Sequence, residues 1–205
     1  MNLDNTWASS HYGQAVLQLF ARIGAILPAT LAEPVRAILV GGAAVHVLTR
    51  ARISKDVEAI FSRRILLPQD LLIRYTDEQG LPRQLAYDYN YFSELGLLHP
   101  DAEQDAIPLG AVGSAPLVLA VLHPVDLAVS KLARFQDQDR QDMATLASKG
   151  MLTAAALEAR VSEALNYYVG NTRWIQYNLK EAVALITALN PRPPQQPTPG
   201  RPQPT

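Results

Sequence analysis

No cysteine occurs among the 205 residues, which excludes disulfides, thiolate zinc sites and cysteine nucleophiles. Nor is there a run of about 18 uninterrupted apolar residues, the length a membrane-spanning helix needs. The longest apolar runs lie beside Gly, Pro or charge. The opening stretch MNLDNTWASSHYG lacks a basic segment followed by an apolar one, so it does not read as a secretory signal. The expectation is a soluble, cytoplasmic protein with no membrane partner. Charge of one sign is missing too: 18 basic residues face 19 acidic ones, which gives no global pull toward nucleic acid or an anionic surface. No HExxH or paired-histidine spacing, no Gly-x-Ser-x-Gly and no Walker loop is present, so zinc, serine-hydrolase and P-loop chemistry find no support. No internal repeat is visible.

What the chain does have is 48% hydrophobic residues, enough to bury one core with a small helical appendage. Val16, Leu17, Leu19, Phe20, Ile23, Ile26 and Leu27 fall at helical spacing and predict a helix over 10–27, stopped near Pro28. Val35 to Val40 reads as a buried strand ending in the turn Gly41-Gly42, and Ala43 to Thr49 as a helix. Ser54 to Phe61 reads as a strand, Pro68 to Tyr75 as a short helix, Gln84 to Tyr91 as a strand, then a looping stretch to about Gly113. Leu117 to Leu122 is a further strand. Helices then follow: Val125 to Phe135 behind Pro124, Asp137 to Lys149 stopped by Gly150, one capped by Thr153 and one capped by Asn171 running to Leu189. The last fifteen residues, PRPPQQPTPGRPQPT, carry seven prolines and read as a disordered or polyproline-like tail. The expected organisation is an α/β core over 1–122, a helical part over 123–190 packed on it, and the tail over 191–205. The fold class is α+β with a mixed α/β sheet.

The segment AILVGGAAVHVLTRARISKDVEAIF carries the chemistry. A strand delivers Gly41-Gly42 to a helix start, where unpaired amides and the positive dipole end can cradle a phosphate. By itself, Gly-Gly is also what any tight strand-to-helix turn uses. Asp56 and Glu58 are one residue apart on a predicted strand, so both project from one face. Two such carboxylates repel unless a positive charge lies between them. Magnesium is the natural occupant, because it takes oxygen ligands from one or two carboxylates plus substrate phosphates. The other reading is a solvated strand face paired with Arg50 or Arg52. Arg50, Arg52, Lys55, Arg63 and Arg64 form a basic cluster around this segment. His46 lies in the helix after the glycines, placed either to approach a phosphate or to pack and hydrogen-bond.

The glycine pair opening a helix, then about a dozen residues, then an acid–hydrophobic–acid strand resembles the DNA polymerase beta-like nucleotidyltransferase superfamily. Within it, Arg52-x-Ser54-x-Asp56 resembles the abortive-infection nucleotidyltransferase toxins of bacterial type IV toxin–antitoxin systems and related uncharacterised bacterial nucleotidyltransferase-like proteins. The later stretch HPVDLAVSKLARFQDQDRQDM resembles their helix with Asp-Leu and Lys followed by an acid-x-x-acid pair, here Asp126, Lys131, Asp139 and Asp142.

The resemblance implies a nucleotidyltransferase-like core and metal-dependent transfer of a nucleotidyl group from a nucleoside triphosphate to a hydroxyl of RNA or protein. It also brings an antitoxin protein into consideration as a partner. Asp56 and Glu58 would be catalytic and would hold Mg2+ or Mn2+. Gly41, Gly42, Arg52 and Ser54 would contribute to the nucleotide site, and Lys131 would meet the triphosphate. The alternative for Lys131 is a surface residue paired with Asp139. A third carboxylate is the least marked part of the pattern. Asp88 is the candidate base, with a turn residue ahead of Asn90 as the other reading and Asp105 as the fallback. Glu58 departs from the commoner Asp at the second acidic position. Should the third acid fail, the chain would be a catalytically inactive member of the fold that binds nucleotide or a partner.

Overall fold

A computed structural model describes residues 5–90 and 96–190; the proline-rich segment read as a tail lies outside the described residues, as does Tyr91 at the end of one expected strand. After a 3₁₀ turn at Asn5–Ser9, the elements run α1 (His11–Ala25), β1 (Val35–Val40), α2 (Gly41–Thr49), β2 (Asp56–Phe61), β3 (Leu72–Thr76), β4 (Pro82–Tyr87), β5 (Ile107–Ala111), β6 (Leu117–Val121), α3 (Pro124–Lys131), α4 (Asp137–Ser148), α5 (Ala154–Leu165) and α6 (Arg173–Leu189). The class is α+β, built on one six-stranded mixed sheet in the order β3-β4-β2-β1-β6-β5.

The near-continuous apolar run of β1 suits a strand paired on both edges: antiparallel to β2 and parallel to β6. Ala37, Ile38, Leu39 and Val40 are all buried. Helix α1 starts at Ser10, whose hydroxyl accepts the Gly13 N–H, and it buries Val16, Leu19, Phe20 and Ile23 along one stripe. Its last-turn Arg22 donates to the Leu72 carbonyl at 2.8 Å, which ties the helix to β3. Leu127, Val129 and Leu132, at the start of the helical half, are fully buried. Thr153 accepts the Ala156 N–H to cap α5. The cap position of α6 is Thr172 rather than the expected Asn171, which accepts the Arg173 N–H from one residue earlier. No helix among the described residues is long and apolar enough to cross a membrane.

Three elements differ from the sequence expectation. The segment read as a helix over Pro68 to Tyr75 supplies β3 instead, an edge strand with Ile73 buried and Arg74 exposed, and with Leu71 buried just ahead of it. Its Leu and Tyr spacing fits a helix locally, and pairing with β4 decides otherwise. The stretch read as a loop up to Gly113 contains β5, the other edge strand. Pro108 and Gly110 disguise it in sequence, and both are tolerated because one edge is unpaired and the register shifts between them. The helix expected to reach Phe135 ends at Lys131. Phe135 adopts a left-handed φ of 46°, turning the chain sharply into α4.

Candidate functional site

The site forms where β1 runs into α2. The antiparallel register sets Glu58 directly opposite Val40, the last residue of β1. The next residue, Gly41, has φ +57°, a left-handed conformation that side-chain-bearing residues avoid. The space its missing Cβ leaves is taken by the Glu58 carboxylate: an added Cβ would overlap Oε2 and lie 2.8 Å from Cδ. Val40 offers no side-chain cap, so no side chain at that position satisfies the first-turn amides of α2.

Period-two alternation puts Asp56 and Glu58 on one face of β2, with Val57 fully buried on the other. Strand β4 lies parallel to β2 with Asp56 beside Ala86 and Val57 beside Tyr87, so the next step of the register places Asp88 beside Glu58. The Asp88 N–H donates to the Val57 carbonyl at 2.9 Å, which fixes that placement. Asp88 Oδ1 also accepts the Asn90 N–H at 2.8 Å, so this residue makes the turn and stands beside the acidic pair as well. Burial raises the pKa of Glu58, and the neighbouring Asp56 and Asp88 raise it further; Lys131 and Arg134 oppose the shift. Burial is the larger cause, and the two neighbouring acids add to it.

Opposite them stands a cationic wall. Lys131 is 7% exposed, and its ammonium reaches Asp142 Oδ2 at 2.7 Å and Asp139 Oδ1 at 3.3 Å. Arg52 grips Asp142 through two bonds of 2.8 and 3.1 Å, and Arg134 grips Asp139 through two of 3.0 Å. Burial pushes the Asp139 carboxyl up, yet the Arg134 guanidinium and Lys131 outweigh it and hold Asp139 below the usual carboxylate range. Three cations against two carboxylates leave this network with one excess positive charge beside the acidic face. A cleft of about 180 Å³ lies between Glu58 and this wall, lined by Gly41, Glu58, Leu98, Lys131, Arg134 and Asp139.

The structure thus gathers most of the residues singled out in sequence, with shifts of position. Neither Gly42 nor Asp56 lines the cleft; the open side of Gly42 faces Ser54 and Arg52, where a Cβ would come within 2.8 and 2.9 Å. Asp56 is exposed at the start of β2 and accepts from the Ser54 hydroxyl at 2.7 Å. Lys131 pairs with Asp139, as one reading had it, but from a buried position in the cleft wall. The sequence-level basic cluster divides: Arg63 and Arg64 leave β2 at the end away from Asp56, roughly 20 Å along at about 3.3 Å per residue. Asp126 and Asp105 belong elsewhere. Both are held by Arg160, at 2.7 and 2.6 Å, around a separate cavity of about 400 Å³ beside His123. Arg134 was not singled out in sequence, since it meets Asp139 only because the left-handed turn at Phe135 folds α4 back over the end of α3. A buried Asp-x-x-Asp with one neighbouring lysine was the available hint that a further cation was needed.

Whether a divalent cation fits is decided by the donors. Among the described residues no group of three or more His, Asp or Glu is arranged to hold a metal ion unaided. Two carboxylates on one face, with burial and mutual repulsion penalising the charge on Glu58, match the partial, oxygen-only ligation that magnesium accepts when phosphates complete its shell.

A family model described as nucleotidyltransferase of unknown function (DUF6036) matches residues 14–183, well over half of the chain. A search of curated proteins gave no match.

Proposed function

The chain belongs to this family of nucleotidyltransferases, and on that premise we propose that it moves a nucleotidyl group from a nucleoside triphosphate to a hydroxyl of RNA or protein with the help of a divalent cation. The observation that carries the reading is the Glu58 carboxylate seated over Gly41 at the start of α2, with Asp56 and Asp88 on the same face. Asp56 and Glu58 would hold Mg2+ or Mn2+. Such an ion, when bound, offsets the charge of the triphosphate and of the attacking and leaving oxygens.

The chain's own residues supply the rest. First-turn amides of α2 face the phosphates, and Lys131 and Arg134 add positive charge on the opposite wall of the cleft. Asp139 and Asp142 keep those cations in place and hold Arg52 against α4. Ser54 fixes one Asp56 oxygen and leaves the other for a ligand. Asp88, beside Glu58, is the base that would take the proton from the acceptor hydroxyl. A toxin role within a toxin–antitoxin pair is the biological setting that the Arg52-x-Ser54-x-Asp56 segment suggests.

The test is incubation with each labelled nucleoside triphosphate, Mg2+ and a panel of total RNA and protein acceptors. Label should pass to an acceptor with release of pyrophosphate. Asp56→Ala and Glu58→Ala should abolish it, and Asp88→Ala should lower it by about 10²–10⁴-fold, the usual share of a general base, with nucleotide binding kept. Binding without transfer on every acceptor would favour the inactive, nucleotide-binding alternative.

A further inference from the structure

His46 lies on α2 four residues beyond Gly42, hence on the same stripe of that helix. The loop from Arg50 to Ser54 rests on this stripe. Gly42 allows its close approach to Ser54 and the Arg52 guanidinium, and His46 bonds the loop directly. The main-chain carbonyl of His46 accepts the Arg50 N–H at 2.7 Å, where Arg50 takes a left-handed φ of 56°. The ring Nδ1 of His46 stands 2.8 Å from the Arg52 carbonyl oxygen. A carbonyl oxygen only accepts, so Nδ1 carries a proton. On the other side of the ring, Nε2 lies 3.0 Å from the Ser10 hydroxyl. Ser10 can donate to Nε2 or to the Trp7 carbonyl, 2.8 Å away, so it matches whichever form Nε2 takes. The ring is 5% exposed and packs 4.5 Å from the Tyr12 ring, which leaves it little freedom to turn.

What this grip holds is the segment that reaches the site from behind. Arg52 bonds Asp142, the same carboxylate that Lys131 uses, and Ser54 bonds Asp56. We infer that His46 is a positioning residue for the nucleotide site: its Nδ1–H fixes the Arg52 carbonyl and so sets the loop that aims Arg52 at Asp142 and Ser54 at Asp56. The inference rests on the nucleotidyl-transfer reading for what the loop serves. His46 touches no substrate. It acts through Arg52 and Ser54, in the way outer partners orient the residues that do.

The test compares His46→Ala, His46→Asn and His46→Gln in the full chain. The Asn amide puts an N–H where Nδ1–H stands, whereas the Gln amide reaches only to the position of Nε2. Two quantities are read: amide hydrogen exchange of residues 50–56 without ligand, and the dissociation constants of the four ribonucleoside triphosphates with Mg2+. His46→Ala and His46→Gln should each speed exchange in that loop and weaken nucleotide binding about tenfold, the equivalent of one positioned hydrogen bond. His46→Asn should restore both. Equal rescue by Gln, unchanged exchange in His46→Ala, or an increase spread over the whole chain in step with a lower Tm would each overturn the inference. Failure of the parent protein to bind any of the four nucleotides would sink the functional reading instead, and the exchange comparison would still decide whether His46 holds the loop.

Discussion

Replacing Gly41 by alanine strikes the contact on which the site is built. An L-residue held at φ +57° costs roughly 1–2 kcal/mol. The new Cβ also overlaps Glu58 Oε2, the far end of a flexible side chain, which can swing aside into a poorer rotamer for a further 0.5–1.5 kcal/mol or so. The sum, roughly 1.5–3.5 kcal/mol, corresponds to a Tm lowered by about 3–14 °C in a chain of this size. The two contributions separate in a double-mutant cycle. With Glu58→Ala as background the backbone cost of Gly41→Ala remains and the overlap vanishes, so the pair should couple by about 0.5–1.5 kcal/mol. Urea unfolding of the parent, the two single variants and the double variant measures this. Additivity within about 0.3 kcal/mol would mean that the carboxylate does not sit over Gly41 and that the site is not built on this contact.

Two further outcomes follow from the charges. The folded state holds the Glu58 proton more tightly than the unfolded chain does, so Glu58's contribution to stability is fully present below the ordinary carboxylate pKa. It falls as pH rises through the interval up to the raised folded value. Glu58→Gln should remove that decline from a Tm-against-pH series; an unchanged slope would show that Glu58 is not strained by burial and its acidic neighbours. Lys131→Ala removes the cation shared by two buried carboxylates and should cost about 3 kcal/mol in urea unfolding, at the low end for a broken buried pair because Arg52 and Arg134 remain. It should also weaken nucleotide binding in the folded protein, and an unchanged affinity would leave Lys131 with a structural role alone.

The centre of the sheet was legible in the sequence and its edges were not. The run over Val35 to Val40 is apolar because β1 is paired on both sides, and that burial shows directly as composition. Strands β3 and β5 carry no such mark. Each gains its state from one neighbour, and Pro108 and Gly110 are compatible with an edge as well as with a loop. At the site, Gly41, Asp56 and Glu58 could be placed together because strand alternation and a short connection leave few arrangements. The neighbour relation of Asp88 to Glu58 is a matter of parallel register between β2 and β4, which separate turns decide. Arg134 escaped because the turn at Phe135, which brings Asp139 back to it, is a backbone event with no residue signature. The same turn explains how a lysine and an arginine three residues apart meet one buried aspartate.

The claim that the acidic pair beside Gly41 holds a cation for a nucleotide is tested most directly by crystals grown with Mn2+ and a non-hydrolysable nucleoside triphosphate analogue. The expected result is an anomalous peak beside Asp56 and Glu58, with the phosphates lying between Gly41 and the Lys131 and Arg134 side chains. A nucleotide bound elsewhere, or manganese absent from Asp56 and Glu58 at saturating concentration, would contradict it.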